Sequence, residues 1–298
     1  MMNEAGGNPM QEVPGILLEV LARIGREGRD IQEVRQLKGT GNKSHMVSFS
    51  DDRIVVRFEG NETGGLVDRE LEHRHGQLAA RQGLGPEILY VDRAEGILIT
   101  RFVDGIRFDD LPRPFARASL GRLAKLIAKL QASDGFSGVM DPWKKVALYL
   151  DDAEVTDPGD ARGFGSVWPL LEILREKTAI DLNDLVPCHI DPVAENLFDR
   201  EQGAILLDWE YAARSHRLWD LAYFASEASL TDSECATLLE ESGQGERLNE
   251  LHLWIAVAKS VSFAWCLARR ARASAERETW DMALVERRID RQRCLNSH

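Results

Sequence analysis

The sequence predicts an α+β fold in two lobes: a small N-terminal sheet lobe with one helix, residues 1–104, and a larger, mainly helical lobe, residues 105–298. Three observations carry this. Short β-branched runs separated by turn residues crowd the first hundred positions. From residue 115 onward apolar residues recur mostly at helical spacing. A single hairpin pattern, near residues 196–207, interrupts that helical half.

Residues 15–25 (Gly-Ile-Leu-Leu-Glu-Val-Leu-Ala-Arg-Ile-Gly) have the apolar stripe of a short amphipathic helix. Strand-like runs follow at 31–37, 44–50 and 53–58. Between the first two lies Lys38-Gly-Thr-Gly-Asn-Lys-Ser44, whose glycines let the backbone approach a phosphate. Asn42 before Lys43 departs from a Walker A loop, so a plain hairpin turn stays open beside a phosphate clamp. Residues 66–82 have helical periodicity and an acidic first turn, which suits the helix dipole. Residues 85–92 and 96–104 complete the sheet, and the Pro- and Asp-bearing segment 104–114 is expected to be a hinge between the lobes. Beyond it, helices are predicted over 115–131, 143–150, 167–177 and most of 218–287, with polar loops at 151–165 and 240–247.

Charge and cysteine usage narrow the function classes. With 37 Lys and Arg against 49 Asp and Glu, the net charge of −12 argues against nonspecific binding to nucleic acid or anionic membranes. The four cysteines form no C-x-x-C pair, which fits reduced thiols in a cytoplasmic protein better than a disulfide framework or zinc site. The N-terminus lacks a basic stretch followed by an apolar core. The apolar stretch 253–268, broken by Lys259 and serines, is expected to be too short and polar to span a bilayer. A cytoplasmic protein without membrane insertion is the expectation.

The chemistry-bearing residues sit between Cys188 and Ala212. His189-Ile-Asp191, followed after four residues by Asn196, has the spacing H-x-D-x-x-x-x-N of a kinase catalytic loop. There the Asp accepts the proton of the attacking hydroxyl and the Asn carries a metal ion. Twelve residues after Asn196, Asp208 closes an apolar run where a second metal-binding Asp is needed. The runs Asn196-Leu-Phe and Ala204-Ile-Leu-Leu read as the arms of a hairpin, bringing Asn196 and Asp208 to one end as oxygen ligands for Mg²⁺. An acidic loop residue alone says little, and the four at this spacing suggest phosphoryl transfer from a nucleotide to an alcohol. Such chemistry also needs a strand cation for the phosphates and a helical Glu to hold it, offered by Arg57 and Glu72. Each of these two also fits an ordinary solvated charge.

These residues resemble the choline/ethanolamine kinase family, within the aminoglycoside phosphotransferase-like small-molecule kinases of protein-kinase-like fold. The likeness runs from about Gln36 to Arg291 and is most specific at His189-x-Asp191-x4-Asn196, Asp208-Trp-Glu-Tyr-Ala212 and Trp219-Asp-Leu-Ala222. It implies transfer of the γ-phosphate of ATP, with Mg²⁺, to the hydroxyl of an amino alcohol, choline or ethanolamine foremost. By this resemblance Asp191 is the catalytic base beside the acceptor, and Asn196 and Asp208 bind Mg²⁺. Gly39, Gly41, Asn42 and Ser44 form the nucleotide loop. Arg57 is held by Glu72 rather than Glu70, and buried Asp220 braces the catalytic loop together with His189. Glu210, Tyr211, Glu227, Trp254 and Trp280 are placed around the amine. The chain departs from the family at Val257, where a second Trp is usual, at Trp280 in place of a late Tyr, and at Gln131 in place of a frequent His. A kinase for thiamine, an aminoglycoside or a sugar is the alternative, and a silent nucleotide- or amine-binding protein is a third reading.

Overall fold

The computed structural model describes residues 15–37, 43–58, 68–156 and 168–276, and the chain divides into two compact units, Met1–Asp104 and Gly105–His298. In the first unit a helix, α1 (Gly15–Arg23), precedes strands β1 (Glu33–Leu37), β2 (Lys43–Ser48) and β3 (Arg53–Phe58). Helix α2 (Arg69–Arg81) comes next, then β4 (Ile88–Asp92) and β5 (Ile97–Arg101). The five strands form one antiparallel sheet in the order β1-β2-β3-β5-β4. Alternate residues of β3 and β5, Ile54, Val56, Ile97 and Ile99, point to one face. There they pack with Leu17, Val20 and Leu21 of α1 into a single core. Each fully buried aliphatic side chain contributes roughly 1.5–3 kcal/mol, which is what fixes the register of the sheet. That register sets Ser44 opposite Arg57. Asp68 caps α2 by accepting the Leu71 N–H at 3.1 Å.

The second unit contains helices α3 (Arg117–Gln131), α4 (Pro142–Thr156), α5 (Trp168–Lys177), α6 (Trp219–Glu227), α7 (Asp232–Glu241) and α8 (Leu248–Glu276). Between α5 and α6 run β7 (Val186–Cys188), β8 (Leu197–Asp199), β9 (Ile205–Leu206) and β10 (Ala213–Ser215), while β6 (Ile106–Arg107) opens the unit. The predicted hairpin forms, with Leu197 opposite Leu206 and Phe198 opposite Ile205. Helix α8 packs along α4 and α6, and α3 packs on α7. The three described cysteines, Cys188, Cys235 and Cys266, are buried.

Three expectations change. The segment after residue 104 is integral to the second unit rather than a bare hinge. Its Ile106 and Arg107 pair with β8, and the Phe108 ring is fully buried against Phe115 and Phe224. The stretch from Asp151 to Thr156, expected to begin a polar loop, is the last part of α4. The apolar stretch 253–268 belongs to a 29-residue helix that does meet the length and composition of a membrane span. Of the 18-residue window that passes, 61% is buried inside the fold, as in a core helix.

Candidate active site

His189, Ile190 and Asp191 leave β7 in a conformation that a β-branched residue rarely adopts: Ile190 has φ 77°. The cost of such a backbone, about 1–3 kcal/mol, must be met by surrounding contacts. They are present. Asp220, fully buried in the first turn of α6, accepts the His189 N–H at 2.8 Å and the Ile190 N–H at 3.0 Å, one on each carboxylate oxygen. The Trp219 indole donates to the Ile190 carbonyl at 3.0 Å. Two consecutive helix residues therefore grip both sides of the strained peptide. Burial pushes the Asp220 carboxyl up to about 7, against the pull of its two N–H donors.

The His189 ring is fully buried and bonded through Nε2 to the Leu207 carbonyl at 2.8 Å. Because a carbonyl only accepts, Nε2 carries the proton, and burial lowers the ring's pKa to about 4, keeping it neutral. Trp209 meets this imidazole edge-on, at 4.8 Å between ring centroids. The His thus ties the catalytic loop to the far arm of the hairpin.

Half-buried Asp191 and Asn196 are joined by a compact turn. The Asp191 carbonyl accepts the Val193 N–H at 2.9 Å, and the Asn196 N–H donates to the Val193 carbonyl at 3.0 Å. The Asn196 amide nitrogen reaches the Asp191 carbonyl at 3.2 Å and its carboxylate at 3.5 Å. That assignment turns the amide oxygen away from Asp191, leaving it as the ligand atom a hard cation takes. The Leu207 N–H donates to the Asn196 carbonyl at 2.8 Å, so Asp208 lies at the same hairpin end as Asn196. Asp208 takes the left-handed region, φ 61°, which Asp tolerates better than most residues. An amide oxygen and a carboxylate together are a hard-oxygen donor set, which suits Mg²⁺.

In the first unit, Arg57 on β3 pairs with Glu72 on α2, and Arg69 donates to the same carboxylate at 2.7 Å. Burial pushes the Glu72 carboxyl up, but Arg57 and Arg69 outweigh it and hold it below the usual range. Glu72, 4% exposed, is the partner, while Glu70 lies exposed on the same helix. Ser44 is on β2 beside Arg57, whereas Gly39, Gly41, Asn42 and Trp280 lie outside the described residues.

The residues expected around the acceptor separate into two groups. Glu210 and Tyr211 follow Asp208 directly and are half-buried. Asp191 and Glu210 both contribute, after burial, to raising the Tyr211 hydroxyl's pKa, which places them in one neighbourhood. Among the described residues, Trp254 packs elsewhere. It is 2% exposed, stacked on His216 at 4.2 Å and meeting Trp219 edge-on at 6.5 Å, so it braces the start of α6. Glu227 sits in the α6–α8 packing, where its carboxylate accepts the Ser262 hydroxyl at 2.7 Å. Gln131 donates to the Arg217 carbonyl at 2.6 Å, stiffening the same approach to α6.

Sequence reasoning missed Lys145 and Tyr149. The Lys145 ammonium stands 5.2 Å from the Tyr211 ring centroid and 5.5 Å from that of Tyr149. Their i, i+4 spacing on a predicted helix shows that they share a face, but nothing local shows that Tyr211 meets them there.

Comparison with known proteins identifies the family and the fold. The model of the phosphotransferase enzyme family (APH) matches residues 33–257. The protein LicA of Haemophilus influenzae is 25% identical over 206 residues, covering 67% of this chain and 75% of LicA. Human ethanolamine kinase 1 is 28% identical over 198 residues, 61% of this chain and 43% of the human protein. Among solved structures, a choline/ethanolamine kinase family protein from Mesorhizobium loti superposes with TM-score 0.74 at 23% identity, covering 94% of both chains. Choline kinase LicA from Streptococcus pneumoniae gives 0.73 at 20% identity, over 94% of this chain and 98% of its own. Aminoglycoside 2'-phosphotransferase-IIIa, at TM-score 0.64 and 16% identity, shares the same kinase-like α+β fold. With the family's model spanning three quarters of its length, the chain belongs to the phosphotransferase enzyme family.

Proposed function

We propose that the protein is an ATP- and Mg²⁺-dependent small-molecule kinase that phosphorylates the hydroxyl of an amino alcohol, with choline and ethanolamine the reference acceptors. The observation that carries this is the catalytic loop: Asp191 and Asn196 on a strained turn held by Asp220, with Asp208 at the same hairpin end.

In this reading Asp191 orients the acceptor hydroxyl and takes its proton as the oxygen–phosphorus bond forms and the bond to the leaving diphosphate breaks. The amide oxygen of Asn196 and the carboxylate of Asp208 would hold Mg²⁺, which when bound neutralises charge on the phosphate oxygens. Arg57, fixed by Glu72, supplies positive charge to the nucleotide phosphates, with Ser44 beside it on β2. Glu210 attracts the amino group. Positioning and electrostatics then account for the rate, since the protein contributes little covalent chemistry.

The relatives support the class: a protein named ethanolamine kinase 1 matches 61% of this chain, and a fold neighbour is named choline kinase. The missing second Trp and the core position of Trp254 favour keeping thiamine, aminoglycosides and sugars in the test. That test is ATP consumption by the purified chain with Mg²⁺ against each acceptor, beside Asp191→Asn and Asp208→Ala. Turnover of an alcohol, lost in both variants, is expected. Wild-type rates in either variant, or ATP binding without turnover of any alcohol, would reject the reading, the latter in favour of a silent nucleotide-binding protein.

A further inference from the structure

Lys145 is where this chain's acceptor side becomes unusual. Its ammonium lies within cation–π reach of two tyrosines, Tyr149 one helical turn on and Tyr211 from the turn after Asp208. It makes no hydrogen bond or ion pair with any described residue. An ammonium has three donors, and two aromatic faces satisfy its charge without giving those donors an oxygen. The group is half-buried; burial lowers its pKa and the attraction of Glu210 opposes that.

The tyrosines lie in the reaction's neighbourhood. Burial and then the charge of Asp191 raise the Tyr149 hydroxyl, with Glu210 adding to it, and the same two carboxylates act on Tyr211. Arg269 lowers both, so a second cation faces this space from α8, over the Trp265 ring at 5.5 Å. Arg272 is neutralised by Asp152 at 2.8 Å. Among the described residues the charged groups here include three carboxylates, Asp191, Asp208 and Glu210, and two cations, Lys145 and Arg269. A trimethylammonium head would find the tyrosine faces occupied and would meet a like charge. A carboxylate would meet the Lys145 ammonium, which stands over the two tyrosine rings.

We propose that Lys145 determines acceptor selectivity: it takes the aromatic faces a quaternary amine would use and directs its N–H groups to a carboxylate on the substrate. The fitting substrate class is a small hydroxy amino acid, with its hydroxyl at Asp191, its ammonium at Glu210 and its carboxylate at Lys145. This rests on the kinase reading of the same site and narrows it.

Matched pairs that differ only by a carboxylate test it: L-serine against ethanolamine, and L-homoserine against 3-aminopropanol, with choline alongside. Each is assayed for kcat/KM on the full chain with ATP and Mg²⁺, in wild type, Lys145→Met and Lys145→Gln. A charge-assisted contact to a partly desolvated ammonium gives about tenfold or more in favour of the carboxylated member. In both variants that ratio should collapse toward one, mainly through KM, and choline should gain relative to serine. Two variants, compared by melting temperature, separate selectivity from loss of fold. Preference for ethanolamine or choline in the wild type, or a ratio unmoved in a folded variant, overturns the inference and leaves the kinase reading standing. Absence of turnover with every alcohol overturns both.

Discussion

Asp220→Asn removes a charge from the interior while leaving the side chain's shape almost unchanged, so it separates two effects of that carboxylate. The first is on folding. The carboxyl is fully buried and its pKa is pushed up to about 7 from 3.8. A folded-state pKa above the unfolded value means that the fold prefers the protonated form. Its contribution is fully present below about 4 and is lost as the pH rises through about 7. A difference of about three pH units at about 1.4 kcal/mol each gives a change of roughly 4 kcal/mol. Asn does not titrate, so the variant should gain on the wild type by that amount between pH 4 and 7.5, measured by urea denaturation across pH. The second effect is on the loop. Asn presents one oxygen to the two N–H donors of His189 and Ile190, and its NH₂ confronts the other. Losing a hydrogen bond to a charged acceptor costs about 1.5–3 kcal/mol, comparable to the strain held at Ile190. The loop should loosen, and kcat should fall roughly 10- to 100-fold at a pH where stability is held or improved. A stability difference that does not vary with pH, or an unchanged kcat, would refute the reasoning.

Other substitutions probe other links. Glu72→Gln leaves Arg57 and Arg69 facing a neutral amide in a buried pair, and thermal unfolding should show a loss of about 3–5 kcal/mol. Because the Glu72 carboxyl is held low, its contribution is present above its unfolded pKa and fades in acid, so the deficit should shrink as pH falls. His189→Gln retains a donor for the Leu207 carbonyl but no titrating ring. With the His pKa lowered to about 4, the wild type keeps that contribution above 6.5 and loses about 3 kcal/mol as the pH falls toward 4, so the variant's acid unfolding midpoint, followed by circular dichroism, should lie lower. Trp254→Ala should cost about 3–5 kcal/mol as a core cavity and change acceptor KM little. A tenfold rise in KM without loss of stability would return Trp254 to the acceptor site.

The parts legible in sequence were those set by local spacing. Turn chemistry and alternation marked the hairpin, and the intervals from His189 to Asp191 and Asn196 are short enough for one loop to enforce. The two-residue strand β6 and the β7–β10 pair carry too few residues to show a period. Length misled at α8: Lys259 and the serines look like breaks in an apolar run, yet a core helix tolerates hydroxyls that bond within it, as the Ser260 hydroxyl does to the Ala256 carbonyl at 2.9 Å. The contact of Trp254 with His216 was not legible because an aromatic at helical spacing reads the same whether it faces a ligand or another ring.

That contrast has a physical basis that extends to how the site can vary. The catalytic loop depends on backbone geometry, a φ of 77° at Ile190 and 61° at Asp208, held by Asp220, Trp219 and His189 through main-chain atoms. Changing one of these releases strain and unpairs buried groups, so the parts act as a unit. The acceptor side instead depends on single side chains converging from α4, the turn after Asp208 and α8. Lys145 and Tyr211 meet through a ring contact rather than through the loop's backbone hydrogen bonds, so selectivity can shift while the chemistry stays fixed. A fold that superposes at TM-score 0.74 on a neighbour of 23% identity leaves ample room for such exchange. On this ground the loop identifies the reaction, and α4, through Lys145, is where the identity of the acceptor is decided.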